Sequence, residues 1–230
     1  MPTETIEHAP AKVNLALHVT GQRADGYHLL DTLVVFTRAG DCVRIRPADR
    51  DSFSIEERFA TALKDGGDNL VTPARDIMRK LHGNQDPVAI TLEKNLPVAS
   101  GIGGGSSDAA ATVRALARLW RVPSDDPETV AAMLALGADM PMCLAAHTLR
   151  AQGIGERLTP LVGFQPLAMV LANPGVAVAT PAIFRALAER SNPPLPRLPT
   201  TPDFSAMLGW LTDTRNDLEQ AAETIAPEIG

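Results

Sequence analysis

Cysteine is nearly absent: Cys42 and Cys143 are the two in 230 residues. That is far too few for a disulfide framework, and they read as ordinary buried thiols of a protein kept in a reducing compartment. Bilayer-length apolar runs are missing as well. The two longest stretches, 131–146 and 167–184, are broken by Asp139 and by Asn173-Pro174-Gly175. The opening MPTETIEHAP lacks the basic stretch and apolar core of a secretory signal, so the expected location is the cytoplasm, with no membrane partner. Positive charge is short too. With 21 Lys plus Arg against 27 Asp plus Glu, a formal charge of -6, the chain does not suit a nucleic-acid surface built on phosphate neutralisation. An anionic small ligand stays possible, because a cluster of backbone N–H groups can bind one within an acidic protein.

What the chain does have is PVASGIGGGSSDAAATVRALARLW, a run of glycines and serines set against the start of a strong helix. Glycine lets the backbone turn freely and lie close to a ligand, and a helix start offers unpaired N–H groups at the positive end of its dipole. Together they form a cradle for an anion, most naturally a nucleotide phosphate. Two better-known loops do not fit. GIGGGSSD has no Lys before its serines, as a P-loop requires, and counting from Gly101 and Gly103 the third glycine of a dinucleotide fingerprint is replaced by Ser106. The protein-kinase HRD and DFG triplets are missing. A flexible connector is the plain alternative.

The flanking pattern alternates strands and helices. Val13, Leu15, Leu17 and Val19 face one way on a first strand and Lys12, Asn14 and His18 the other. Residues 29–36 and 41–46 read as two strands joined by a turn at 38–41, and Val88, Ile90 and Leu92 as another. Asn69 caps a helix that Gly83 ends. Ser106 or Ser107 caps the next, with Asp108 in its first turn favouring the dipole and Ala109, Val113, Leu116 and Trp120 as its buried stripe. A further helix starts near Pro127, and residues 148–152 form a strand before the Gly153-Ile154-Gly155 turn. From Leu161 a new unit is expected, with strands at 167–172 and 176–179, a helix at Thr180-Pro181, a proline-rich connector at 192–202 and two short closing helices.

Asp139 stands out in LALGADMPMCLAA, a carboxylate in apolar text. Burial alone would neutralise it, so it needs a cation, and Lys12 on the polar face of the first strand is the nearest candidate. Such a pair could take or orient the proton of a hydroxyl attacking a phosphoryl group. An Asp capping the next turn is the alternative.

In order and spacing, APAKVNLALHVTGQRADGYHLLDT, LPVASGIGGGSSDAAATVRAL, LGADMPMCL and ANPGVAVATPAIF resemble the GHMP small-molecule kinases. GQRADGYH points to the branch acting on a cytidine-diphospho sugar alcohol. The resemblance implies an α+β, two-domain GHMP kinase fold. Residues 1–160 would form a ribosomal-protein-superfold-like ATP-binding domain, and residues 161–230 a ferredoxin-like C-terminal domain, expected to be incomplete because the family's third glycine-rich motif is not seen. It implies ATP-dependent phosphorylation of a methylerythritol hydroxyl, with Mg2+ on the nucleotide. By the same resemblance Lys12 and Asp139 are the catalytic pair, with Asp139 as base. Pro97, Val98, Ala99, Ser100, Gly101, Ile102, Gly103, Gly104, Gly105, Ser106 and Ser107 surround the ATP phosphates, and Asn69 and Lys94 contact the nucleotide. Asn14, Tyr27, His28, Thr180 and Phe184 hold the substrate, with aromatic rings around cytosine. A β-branched residue at Gly104 is expected to block a positive φ. Another GHMP kinase, acting on mevalonate or homoserine, and a non-catalytic nucleotide-binding relative are the alternatives.

Overall fold

The computed structural model describes residues 3–56, 69–97, 100–199 and 203–230. The fold is α+β. The chain forms two compact units that do not follow it in sequence order, one from residues 1–12, 36–98 and 102–146 and the other from 13–35, 99–101 and 147–230. Among the described residues no helix is long and apolar enough to cross a membrane.

Two long strands, β1 (Thr5–Gln22) and β2 (His28–Pro47), contribute to both units, and β1 pairs with β2. In the first unit β2 runs antiparallel to β4 (Val88–Glu93), from Cys42 opposite Glu93 to Pro47 opposite Val88, and β3 (Ser52–Glu56) lies parallel to β4. In the second unit β2 runs antiparallel to β5 (Leu149–Gly153), which pairs with β6 (Arg157–Pro160). The two strands expected at 29–36 and 41–46 are thus one. Gly40 is not a turn residue: a Cβ there would stand 2.5 Å from the Ala9 carbonyl oxygen and 2.8 Å from the Pro10 Cα. It is glycine because neighbouring backbone passes too close for any side chain.

Helices α1 (Val71–His82), α2 (Gly104–Trp120), α3 (Pro127–Met133) and α4 (Met140–Ala145) belong to the first unit. Gly83, at φ 64°, ends α1 as expected, but the N-cap is Leu70, without a side-chain cap bond, and Asn69, one residue earlier, accepts from Val71 N at 2.8 Å. Asp126 caps α3 by accepting from the N–H groups of Glu128 and Thr129. α2 carries more than the single stripe expected of it. Ala109, Ala110, Ala111, Val113, Ala115, Leu116 and Ala117 are all buried, in one cluster with Ile45, Ile90, Met78 and Met140. Small side chains on several faces let strands and helices close around it, as suits a central helix.

The second unit holds α5 (Thr180–Ala186), α6 (Phe204–Thr212) and α7 (Glu219–Ile225). Leu33, Leu195, Met207 and Trp210 form one core there, with Leu211 packed against it, and Leu17, Val19, Leu187 and Ala221 form another. Buried Asp31 ties in the connector: it accepts from Arg150 and from the Leu195 N–H. The strands expected at 167–172 and 176–179 are not formed. Those residues hydrogen-bond to no neighbouring strand, and Val170, Leu171 and Val176 are exposed. An apolar run becomes a strand only where a ladder partner lies beside it.

Candidate active site

β1 carries Lys12 at the point where its backbone N–H donates to the Ile102 carbonyl at 2.9 Å, which pins the strand to the glycine loop. Lys12 Nζ reaches Asp139 Oδ1 at 2.8 Å, with the ammonium side chain 7% and the carboxylate 38% exposed. Asp139 sits at the N-terminal edge of α4 but makes no side-chain cap bond there. The capping alternative therefore fails, and the carboxylate is free to face a ligand while held by a cation. Nearby on α4, Cys143 is pushed up to about 12, first by burial and then by Asp139, and so stays a neutral thiol.

The loop enters α2 at Gly103, which is the N-cap at φ 67°. The expected serine caps are corrected. Ser107 is buried, its hydroxyl donates to the Pro10 carbonyl at 2.7 Å, and its N–H already closes the first helical turn onto Gly103. The positive φ values fall at Gly101 (74°) and Gly103 (67°), whereas Gly104 is the first residue of α2, so the expectation of a left-handed Gly104 is also corrected. A Cβ on Gly103 would lie 3.3 Å from Lys12 Cβ and 3.4 Å from its Cε. The glycine loop and the ion pair are therefore in direct contact. Ahead of Ser107, the N–H groups of Gly104, Gly105 and Ser106 have no acceptor within the helix, and Gly105 is exposed. Ile102 and Ser106 are half-buried, as are Pro97 and Ser100. Val98 and Ala99 lie outside the described residues.

Of the two remaining nucleotide candidates, Asn69 is half-buried and accepts from Val71 N. Lys94 is almost wholly enclosed: its Nζ bonds Asp41 and, at 2.9 Å, Asp108. Sequence reasoning missed both acids. Asp41 read as the end of a turn and Asp108 as a partner of the helix dipole.

The substrate candidates lie in the second unit. GQRADGYH folds as a tight loop in which Arg23 N donates to the Tyr27 carbonyl at 2.7 Å and Gly26 takes φ 93°. This leaves Tyr27 55% exposed. His28 stacks on Phe184 with ring centroids 4.9 Å apart and planes 25° from parallel. Burial, and then Arg190, holds the imidazole below its ordinary pKa, so it is neutral near pH 7 and able to exchange hydrogen bonds with a neutral base. Thr180 stands one turn before Phe184 on α5, and both face the same way. Asn14 is half-buried and donates to Thr32 Oγ1 at 2.7 Å. His18, read as a plain strand residue, is buried and bonded to the Pro193 carbonyl.

The GHMP kinases N terminal domain matches residues 69–147. The chain is 54% identical over 225 residues to the 4-diphosphocytidyl-2-C-methyl-D-erythritol kinase of Mesorhizobium japonicum, covering 97% of this chain and 76% of that protein. It is 56% identical over 237 residues to the kinase of the same name in Agrobacterium fabrum, covering 99% and 79%. A crystal structure of 4-(cytidine 5'-diphospho)-2C-methyl-D-erythritol kinase matches with a TM-score of 0.71 at 33% identity, over 97% of this chain and 79% of that one. A homoserine kinase from Cytophaga hutchinsonii, 17% identical at a TM-score of 0.53 over 100% and 72%, shares the fold alone. These neighbours bear out the α+β GHMP fold expected from the sequence.

Proposed function

The chain belongs to the 4-diphosphocytidyl-2-C-methyl-D-erythritol kinases of the GHMP family, and from that premise we propose that it transfers the γ-phosphoryl group of ATP to a hydroxyl of the methylerythritol moiety, as a cytoplasmic enzyme of isoprenoid precursor synthesis. The observation that carries the mechanism is the Lys12–Asp139 pair at 2.8 Å beside Gly103. Asp139 accepts the proton of the attacking hydroxyl, and Lys12 keeps the carboxylate ionised and oriented. As charge builds on the transferred group, the N–H groups at the start of α2 and the positive end of its dipole stabilise it without having to reorganise.

Residues 97–107 hold the nucleotide phosphates, with Asn69 beside them, in an N-terminal ATP-binding domain spanning 1–160, which a partial C-terminal domain at 161–230 follows. Mg2+ enters on ATP as part of the substrate. Among the described residues no group of three or more His, Cys, Asp or Glu is placed to hold a metal. Tyr27, His28 and Phe184 take the cytosine ring, and Asn14 and Thr180 bind polar groups of the same substrate.

A coupled ADP-release assay across cytidine-diphospho-methylerythritol, mevalonate and homoserine tests this. Turnover confined to the cytidine substrate is the expected result. ATP binding without turnover on any of the three overturns it in favour of a non-catalytic relative.

A further inference from the structure

The two ends of the glycine loop are joined by charge. Lys94 follows directly on β4 and Asp108 opens the second turn of α2, not the first turn expected of it, fourteen positions on, yet Lys94 Nζ donates to Asp108 Oδ2 at 2.9 Å. The same ammonium bonds Asp41 Oδ2 on β2. The other oxygen of Asp41 accepts from the N–H groups of Asn95 and Leu96 at 2.5 and 2.7 Å, so the acid also fixes the backbone where the loop departs. All three side chains are at most 5% exposed. A Cβ on Gly104 would lie 3.5 Å from Lys94 Nζ, which places the cation against the helix start itself.

We propose that Lys94, Asp41 and Asp108 form a charged clasp that positions the loop for the phosphates of ATP, and that the clasp's net charge governs how well the loop accepts them. The proposal rests on reading residues 97–107 as the nucleotide loop. Geometry shows why charge matters here. Two carboxylates share one ammonium away from water, so the cluster carries a net negative charge beside a polyphosphate site unless one acid holds a proton. Three donors converge on Asp41, whereas Oδ1 of Asp108 is buried with no donor. The proton therefore belongs on Asp108. In keeping with this, burial above all, reinforced by Asp41 and opposed by Lys94, pushes Asp108 up to about 8. Lys94 is raised in spite of its burial, because Asp108 and Asp41 together outweigh that burial.

Of the other groups facing this corner, one stays a neutral thiol and two form an ion pair of their own. Cys143 on α4 stays neutral to about 12, and Lys12 and Asp139 neutralise each other. Below about pH 8 the clasp is neutral, and above it an unbalanced anion lies beside the loop.

The test is the KM for MgATP across pH 7 to 9, with kcat recorded separately, for the wild type and for Asp108→Asn. The amide keeps an acceptor for Lys94 and offers an N–H to Asp41, but cannot ionise. Wild-type KM should rise about tenfold over this range if only the protonated clasp binds well, and Asp108→Asn should reduce that ratio to about twofold or less. Lys94→Gln, checked for folding by its melting curve, should raise KM for MgATP at every pH. A flat wild-type profile, or an Asp108→Asn variant that melts earlier yet keeps the alkaline rise, overturns the clasp while leaving the kinase assignment intact. No ATP binding at any pH overturns the clasp together with the loop reading beneath it.

Discussion

Replacing the loop glycines one at a time separates backbone strain from crowding of Lys12. Gly101 and Gly103 both take positive φ, at 74° and 67°, but a Cβ on Gly101 would meet nothing within 4 Å while one on Gly103 would press on Lys12 at 3.3 and 3.4 Å. Gly105 has neither a positive φ nor a neighbour. Alanine in the left-handed region costs about 1–2 kcal/mol, which in a chain of this size lowers Tm by roughly 2–8 °C. Gly101→Ala and Gly103→Ala should both show that loss, and Gly105→Ala, in the first turn of α2, should be neutral or slightly stabilising. Only Gly103→Ala displaces the side chain whose Nζ sits 2.8 Å from Asp139. A shift of even part of an ångström in a reacting constellation is costly, so its kcat should fall by about tenfold or more while that of Gly101→Ala is largely retained. Melting curves and saturating turnover for the three variants decide the matter. Equal kcat losses at Gly101 and Gly103 would show that crowding of Lys12 is not the cause, and unchanged kcat with a raised KM for ATP at Gly103 would confine the loop to nucleotide binding.

Asp139→Asn should keep affinity for both substrates and lose about 10²–10⁴-fold in kcat, because the amide preserves shape but removes the base; near-normal turnover would return Asp139 to a structural role. Tyr27→Ala should raise KM for the cytidine substrate about 5- to 150-fold, the equivalent of one stacked base, and leave KM for ATP unchanged. It is a cleaner probe than Phe184, which also packs against the core around Val19 and Leu187, whereas Tyr27 is exposed. A parallel rise in both KM values would contradict its assignment to cytosine. Asp51 gives a stability test: its hydrogen bonds to Arg79, opposed by burial and aided by the Val88 N–H, hold its carboxyl well below the usual carboxylate range. A depressed pKa of this kind stabilises the fold above the unfolded value near 4 and is lost as pH falls towards the folded one. Asp51→Asn should therefore lower Tm at pH 7 by roughly 2–4 °C, for a half-exposed pair worth about 1 kcal/mol, with the gap closing towards pH 2. A gap that stays constant with pH would assign the effect to packing.

Sequence reading succeeded where a residue contradicts its own surroundings. Asp139 in apolar text demanded a cation, and the structure supplies Lys12. Glycines crowded before a helix demanded a reason, and Gly103 meets one in the side chain of Lys12. Reading failed where a local explanation was available and wrong. Gly40 followed by Asp41 has the look of a turn, yet the glycine is required by the backbone of residues 9 and 10 lying against it, a contact 30 positions distant that no local window contains. Residues 167–172 have strand composition, but composition does not supply the neighbour with which a ladder forms.

The proposed clasp illustrates the same limit at the candidate site. Asp41 passes for a turn residue and Asp108 for a helix-dipole partner, each reading being locally sufficient, and Lys94 stands out only through the family resemblance, as a nucleotide contact. They become exceptional only because β2, β4 and α2 deliver them to one buried point. Such a convergence costs desolvation, which an exposed arrangement of the same residues would avoid. The fold keeps it at the base of the loop: the run from Gly103 to Gly105 has no side chains of its own to pack, so the phosphate-binding geometry proposed for it depends on flanks that are held in place.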